Sequence, residues 1–215
     1  LGRQCKNIQS SDALLNISIL TWYPSNALTL AWYSSSCPID IQVSVTIIFA
    51  SFTASTGSSV RTNSTLFSIG NGGAAATSMT LANDVGFDIL KKTKKKGFKI
   101  VNLSDNNSII TAIANDVGYD KIFVEQLKLH YKKKDALIIF SASGNSKNIL
   151  DAAKWIKNKK GKIFSIVGFD GGKIKKYSDI CLHFKSQKNE YGPVEDCQLI
   201  VNHILAHWFQ NKFSK

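Results

Sequence analysis

The chain has 215 residues, is 44% hydrophobic and carries a formal net charge of +12, the balance of a globular domain rather than of a disordered tail. That length fits one domain with room for an appendage. Four cysteines, Cys5, Cys37, Cys181 and Cys197, show no CxxC spacing, so a zinc ribbon or a dithiol redox motif has no support, and a reducing cytoplasm is the expected location.

The positive charge is unevenly spread. Residues 66–215 hold 24 lysines against 13 acids and no arginine, while residues 1–65 hold one lysine, two arginines and two acids. A break of this kind inside one chain suggests two segments of different origin. The lysines gather at Lys91 to Lys99, Lys132 to Lys134, Lys157 to Lys162 and Lys173 to Lys176. No aromatics interleave with them and arginine is missing, which speaks against nucleic acid and for a solvated lysine surface.

Residues 1–65 mix Trp22, Tyr23, Trp32 and Tyr33 with serine clusters and have poor helical periodicity. Val43 to Phe52 is β-branched enough for a strand and too short to span a membrane. Asn16 and Asn63 fit the glycosylation acceptor pattern, a short match that arises by chance. The chain starts at Leu1 rather than Met, as a fragment would.

From Leu66 the pattern is regular. Leu66 to Ile69 reads as a buried strand, and Gly70 to Ala76 (GNGGAAA) opens a helix running to about Leu90. Phe98 to Leu103 is the second strand, followed by helices over Asn107 to Asn115 and Asp120 to Tyr131 around a turn at Gly118. Ala136 to Phe140 is the third strand and Ser146 to Asn158 its helix. Lys162 to Val167 and Ile180 to Phe184 are the fourth and fifth, with a short helix near Lys173 to Tyr177 between them. A last helix runs from about Pro193 to Phe213. Apolar strands alternating with helices predict an α/β fold, with a parallel sheet covered on both faces and ligands at the carboxyl ends of its strands.

Two loops meet that rule. Gly70 to Ala76 follows the first strand, where glycines let backbone approach a ligand. Ser141 to Ser146 follows the third and feeds a helix N-terminus; backbone N–H groups, the positive helix end and three hydroxyls suit a phosphate there. An empty serine-capped turn is the alternative, and so is a dinucleotide site with Asp105 as its acid. Asp84, Asn115, Asp116, Glu195, Asp196, His203 and His207 are the polar groups near these strand ends or on the flanking helices. Glu195 and His203 lie about 80° apart on their helix and Asp196 and His203 about 20°, so either acid could share a cleft with the imidazole. A carboxylate and an imidazole could move a proton between adjacent carbons of a sugar phosphate.

Five motifs in order, SIGNGGAAA (Ser68 to Ala76), TAIANDVGYD (Thr111 to Asp120), SASGNS (Ser141 to Ser146), GFDGGK (Gly168 to Lys173) and YGPVED with NHIL (Tyr191 to Leu205), resemble the sugar-isomerase (SIS) domain family, and within it the phosphoheptose isomerases. The resemblance covers about residues 66–213, and residues 1–65 depart from it as a foreign or misframed stretch. It implies a flavodoxin-like three-layer sandwich around a five-stranded parallel sheet. It implies aldose–ketose isomerisation of sedoheptulose 7-phosphate, or a related sugar phosphate, through a cis-enediol, in heptose and lipopolysaccharide precursor synthesis. A non-catalytic phosphosugar-binding or protein-interaction module on the same fold is the alternative.

Carried over by position, Asp84 and His203 are the catalytic pair. Asn71, Gly72, Gly73, Asn115, Asp116, Ser141, Ala142, Ser143, Ser146 and Glu195 are substrate contacts. A homotetramer with active sites between subunits is implied. So is zinc on Asp84, Glu195 and His203, although the family's histidine one turn before the carboxylate is Thr80 here. The serine usual after the first glycines is Ala74, the usual glutamate is Asp84, and Glu195 replaces a common glutamine.

Overall fold

The computed structural model describes residues 64–95 and 97–214, together with strand residues 16–17, 31–33 and 39–40. The chain divides into two compact units, Leu1–Ala50 and Ser51–Lys215. In the first, β1 (Asn16–Ile17), β2 (Ala31–Tyr33) and β3 (Ile39–Asp40) form an antiparallel sheet in that order. The strand expected over Val43 to Phe52 lies outside the described residues, as does most of the stretch expected to be foreign.

The second unit is built on five parallel strands: β4 (Thr65–Ile69), β5 (Lys99–Asn102), β6 (Ala136–Ser141), β7 (Lys162–Val167) and β8 (Ile180–His183). Their order is β5-β4-β6-β7-β8. All residues of β4 and β6 are buried, as expected for central strands covered on both faces. Parallel pairing aligns Leu66 with Ala136 and Ile69 with Ile139, and further along Ala136 with Lys162 and Ser141 with Val167.

Among the described residues six α-helices cover the sheet: α1 (Gly73–Leu81), α2 (Asp88–Thr93), α3 (Asn107–Asp116), α4 (Ile122–His130), α5 (Lys147–Asn158) and α6 (Tyr191–Ser214). Alternation along β4 splits its side chains between two cores. Phe67 and Ile69 join Phe123, Leu127, Ile149 and Ile156 of α4 and α5 on one face. On the other, α1 and α2 pack against α6. The result is the expected three-layer α/β sandwich.

The single helix expected to about Leu90 is instead α1, a π-helical stretch over Ala82–Phe87, and α2. The wider turn keeps Leu81, Val85 and Ile89 all inside at spacings of four. α3 is capped by Asn106, whose side chain accepts from the Ile109 N–H. α6 starts two residues before Pro193, which sits in the first turn, where a proline lacks no intrahelical donor.

The chain leaves β4 toward β5 on one side, while β6 lies on the other. The crevice between the carboxyl ends of β4 and β6 is therefore the point where strand order reverses, the place where open α/β sheets bind ligands.

Candidate active site

The loops after β4 and β6 meet across that crevice. The Asn71 amide donates to Asn148 Oδ1 at 3.0 Å, and the Asn148 amide donates back to Asn71 Oδ1 at 2.9 Å. Asn148 is buried in the first turn of α5, so it anchors the glycine loop to the helix that the serine turn feeds. Tyr119, in the short 3-10 turn after α3, donates its hydroxyl to Asn71 Oδ1 at 3.3 Å.

The serine turn is a folded cradle. Buried Ser141 accepts the Gly144 N–H at 3.1 Å, and Ser143 Oγ accepts the Asn145 N–H at 3.2 Å. Ser146 is the N-cap of α5 yet makes no side-chain capping bond, which leaves its hydroxyl available to a ligand at the positive helix end. Gly144 has φ 60°, and a Cβ there would strike the Gly171 carbonyl. The loop after β7 thus lies directly against the turn, held by Ile174 N–H donating to the Gly144 carbonyl at 3.0 Å and Lys173 N–H donating to Asn145 Oδ1 at 3.0 Å.

Ion pairs brace the same corner. Lys147, the first residue of α5, reaches Asp120 at 2.6 Å, and Lys121 bridges Asp120 at 3.2 Å and Asp151 at 2.7 Å. Hydrogen bonds from Lys147, then Lys121, hold the Asp120 carboxyl down to about 2.

Glu195 joins the first loop. Its carboxylate lies over Gly73, at the start of α1, where a Cβ would fall on the carboxylate carbon and oxygens. An anion there faces the positive end of the helix.

Asp84 and His203 meet elsewhere. Asp84 sits in the π-helical stretch, a helical irregularity often found at functional sites. Its Oδ2 lies 3.7 Å from His203 Nε2, with the His203 side chain 60% exposed and the Asp84 side chain 14%. Asp84 Oδ1 accepts from the Asn83 amide at 2.9 Å and Oδ2 from the Asn202 amide at 2.8 Å. Asp84 lies eleven residues along the helix from Gly73, on the order of 15 Å. Glu195 therefore lies with the loops, and Asp84 and His203 form a second centre farther along the same two helices.

Zinc was expected on Asp84, Glu195 and His203. Among the described residues no three His, Cys, Asp or Glu side chains form a group that could hold a metal ion. Asp84 has both oxygens engaged by amides, and Thr80 turns its hydroxyl back to the Ala76 carbonyl at 3.0 Å. Among the described residues Asp84, Glu195 and His203 are not brought together as a metal-binding group within one chain. Burial raises the Cys197 thiol to about 11 and also raises Cys181, so neither is a ready nucleophile.

Asn115 and Asp116 hydrogen-bond each other at 2.8 Å on the exposed end of α3, two residues before the turn that carries Tyr119 toward Asn71. Ala142 is buried beside Phe169 and Val194, packing the serine turn onto the loop after β7 and the start of α6.

Residues 51–168 match a family profile described as the SIS domain. The chain belongs to the SIS domain family. Phosphoheptose isomerase of Helicobacter pylori (strain P12) is 36% identical over 145 residues, covering 67% of this chain and 73% of that protein. Phosphoheptose isomerase of Aliarcobacter butzleri (strain RM4018) is 33% identical over 145 residues, 67% of this chain and 75% of that protein. Among solved structures, phosphoheptose isomerase from Neisseria gonorrhoeae superimposes with a TM-score of 0.67 at 24% identity, covering 79% of this chain and 86% of that one. This last likeness is one of fold. Among the described residues no helix of this SIS domain is long and apolar enough to cross a membrane.

Three polar residues of these centres were not singled out by the sequence reading: Asn148, which lies in no quoted motif, and Asn202 and Tyr119, which lie inside NHIL and TAIANDVGYD. Asn148 and Asn202 are detectable in hindsight as polar residues on the buried stripes of α5 and α6, where periodicity calls for apolar ones. Tyr119 had no such mark.

Proposed function

We propose that this SIS domain is a phosphosugar isomerase that interconverts sedoheptulose 7-phosphate, or a closely related ketose phosphate, with its aldose, supplying a heptose precursor for surface-glycan synthesis. The observation that carries this reading is the Asp84–His203 pair, 3.7 Å apart on two helices of the domain. Its named relatives, at 36% and 33% identity, are phosphoheptose isomerases.

The serine turn and the N-terminus of α5 hold the phosphate, with Asn71 to Gly73 and Glu195 against the sugar hydroxyls. One member of the Asp84–His203 pair removes a proton from C1 of the ketose while the C2 carbonyl oxygen gains one, giving a cis-enediol. Loss of the proton on the C1 oxygen and return of a proton to C2 then yield the aldehyde. Each of these proton transfers is within the reach of side-chain acid–base chemistry.

Asp84 and His203 stand about 15 Å along the helix from the glycine loop. That separation suits active sites completed between two copies of the chain, with a homo-oligomer as the active form.

The second reading, a phosphosugar-binding module without turnover, is favoured by Thr80, whose hydroxyl is tied to its own helix instead of facing Asp84. Incubation with sedoheptulose 7-phosphate, followed by aldose detection, separates the two. Turnover lost in His203→Ala with sugar-phosphate binding retained supports the isomerase. Binding without turnover by the unaltered protein rejects it.

A further inference from the structure

We propose that Asn202 is a positioning residue that fixes the Asp84 carboxylate relative to His203; the idea rests on the reading of those two as the proton-transfer pair. Asn202 is 0% exposed, and its side-chain amide donates to Asp84 Oδ2 at 2.8 Å. Its own carbonyl oxygen, Oδ1, has no hydrogen-bond partner among the described residues.

That arrangement is a poor choice for packing. Asn202 sits on the buried stripe of α6 with Val194, Cys197, Val201, Leu205 and Phe209. A leucine there would extend the apolar face and leave no acceptor stranded. Gln198, one turn earlier, also has a carbonyl oxygen without a partner among the described residues, but its amide satisfies the Ile166 carbonyl of β7 at 3.0 Å, a structural bond between helix and sheet. The Asn202 side chain serves no backbone group in this way. Its hydrogen bond goes to a carboxylate.

The geometry explains what such a bond does. Asp84 Oδ1 is held by Asn83, which belongs to the same π-helical stretch and moves with it. Asn202 instead stands next to His203 on α6. It ties Oδ2, the oxygen that faces the imidazole, to the helix that carries that imidazole. Removing it leaves Asp84 anchored only to its own segment, and the carboxylate can turn about its two side-chain torsions.

The test compares the wild type, Asn202→Leu, Asn202→Ala and Asp84→Asn for turnover of sedoheptulose 7-phosphate, binding of the same sugar phosphate by calorimetry, and thermal midpoint. For Asn202→Leu we expect kcat to fall about 10- to 100-fold, the cost of a misplaced reacting group. KM and the binding constant should stay within about twofold, and the melting temperature should be unchanged or raised. Asn202→Ala, which adds no bulk, shows the same split between kcat and KM if the leucine variant does not fold. Wild-type kcat in either folded variant, with Asp84→Asn inactive, overturns the positioning role and leaves the acid–imidazole pair standing. Wild-type turnover in Asp84→Asn, or none in the wild type, removes the pair itself and the role of Asn202 with it.

Discussion

Asn71 and Asn148 exchange amide hydrogen bonds in both directions, at 3.0 and 2.9 Å, across the crevice between β4 and β6. One side chain ends a strand loop and the other begins a helix, so the pair sets the distance between the glycine loop and the serine turn. In Asn148→Ala both bonds disappear. We expect a stability loss of about 1 kcal/mol by denaturant unfolding, since Asn71 is partly exposed and water can replace its partner. Sugar-phosphate affinity should fall about tenfold by calorimetry, because the two loops lose their spacing.

Gly73→Ala places a methyl group where the Glu195 carboxylate now lies. A carboxylate at the end of a flexible side chain can swing away, so the stability cost should be small, about 1 kcal/mol. The functional cost should be larger: weaker substrate binding with the fold intact. A double-mutant cycle with Glu195→Ala checks the cause. If Gly73→Ala costs as much without the carboxylate, steric conflict with Glu195 is not the reason.

The Asp120 carboxyl is held at about 2, from an ordinary 3.8, by Lys147 first and Lys121 second. A carboxyl lowered on folding adds stability that is complete above the unfolded value and is lost as pH falls through the folded one. Melting temperatures of the wild type and Asp120→Asn should therefore differ by a constant amount above about pH 4 and converge between about pH 4 and 2. A gap that persists unchanged to pH 2 would show that the lysine pairs are not its source.

Asp135 is 3% exposed and accepts the Thr65 N–H and the Lys132 N–H, both at 2.7 Å. It ties the first residue of β4 to the turn before β6. Asp135→Ala strands a buried backbone donor at the start of a central strand and should cost about 1–3 kcal/mol, measured by urea unfolding. Asp135→Asn, which retains one acceptor oxygen, should recover part of that loss.

Much of this architecture was legible in residue order. The runs Leu66 to Ile69, Ala136 to Phe140 and Lys162 to Val167 announce buried strands because parallel strands covered on both faces cannot afford polar alternation. The serine turn stood out because a strand that stops in small hydroxyl residues before a helix leaves backbone donors to be filled. The break of one expected helix into α1, a π turn and α2 was not legible. One extra residue in a turn is invisible where Leu81, Val85 and Ile89 already satisfy a spacing of four. The division of the polar residues into two centres was equally hidden. Angular arithmetic puts Glu195 and His203 near one face of α6 and ignores the two turns of axial rise between them. Sequence spacing reports direction around a helix more readily than which neighbour it meets at each level.

The π-helical stretch Ala82–Phe87 carries one consequence for how this chain can change length. A π turn holds one residue more than the regular ladder needs. Deleting a single residue there can close the backbone into ordinary α-helix with no broken strand or loop. Strands, loops and the flanking helical turns would stay in register after such a deletion, while the residues inside the π turn itself shift their positions. Asp84 lies inside that turn, so the shift would carry its carboxylate away from His203. A single-codon gap, silent to the core, would then be enough to turn an isomerase into a sugar-phosphate receptor.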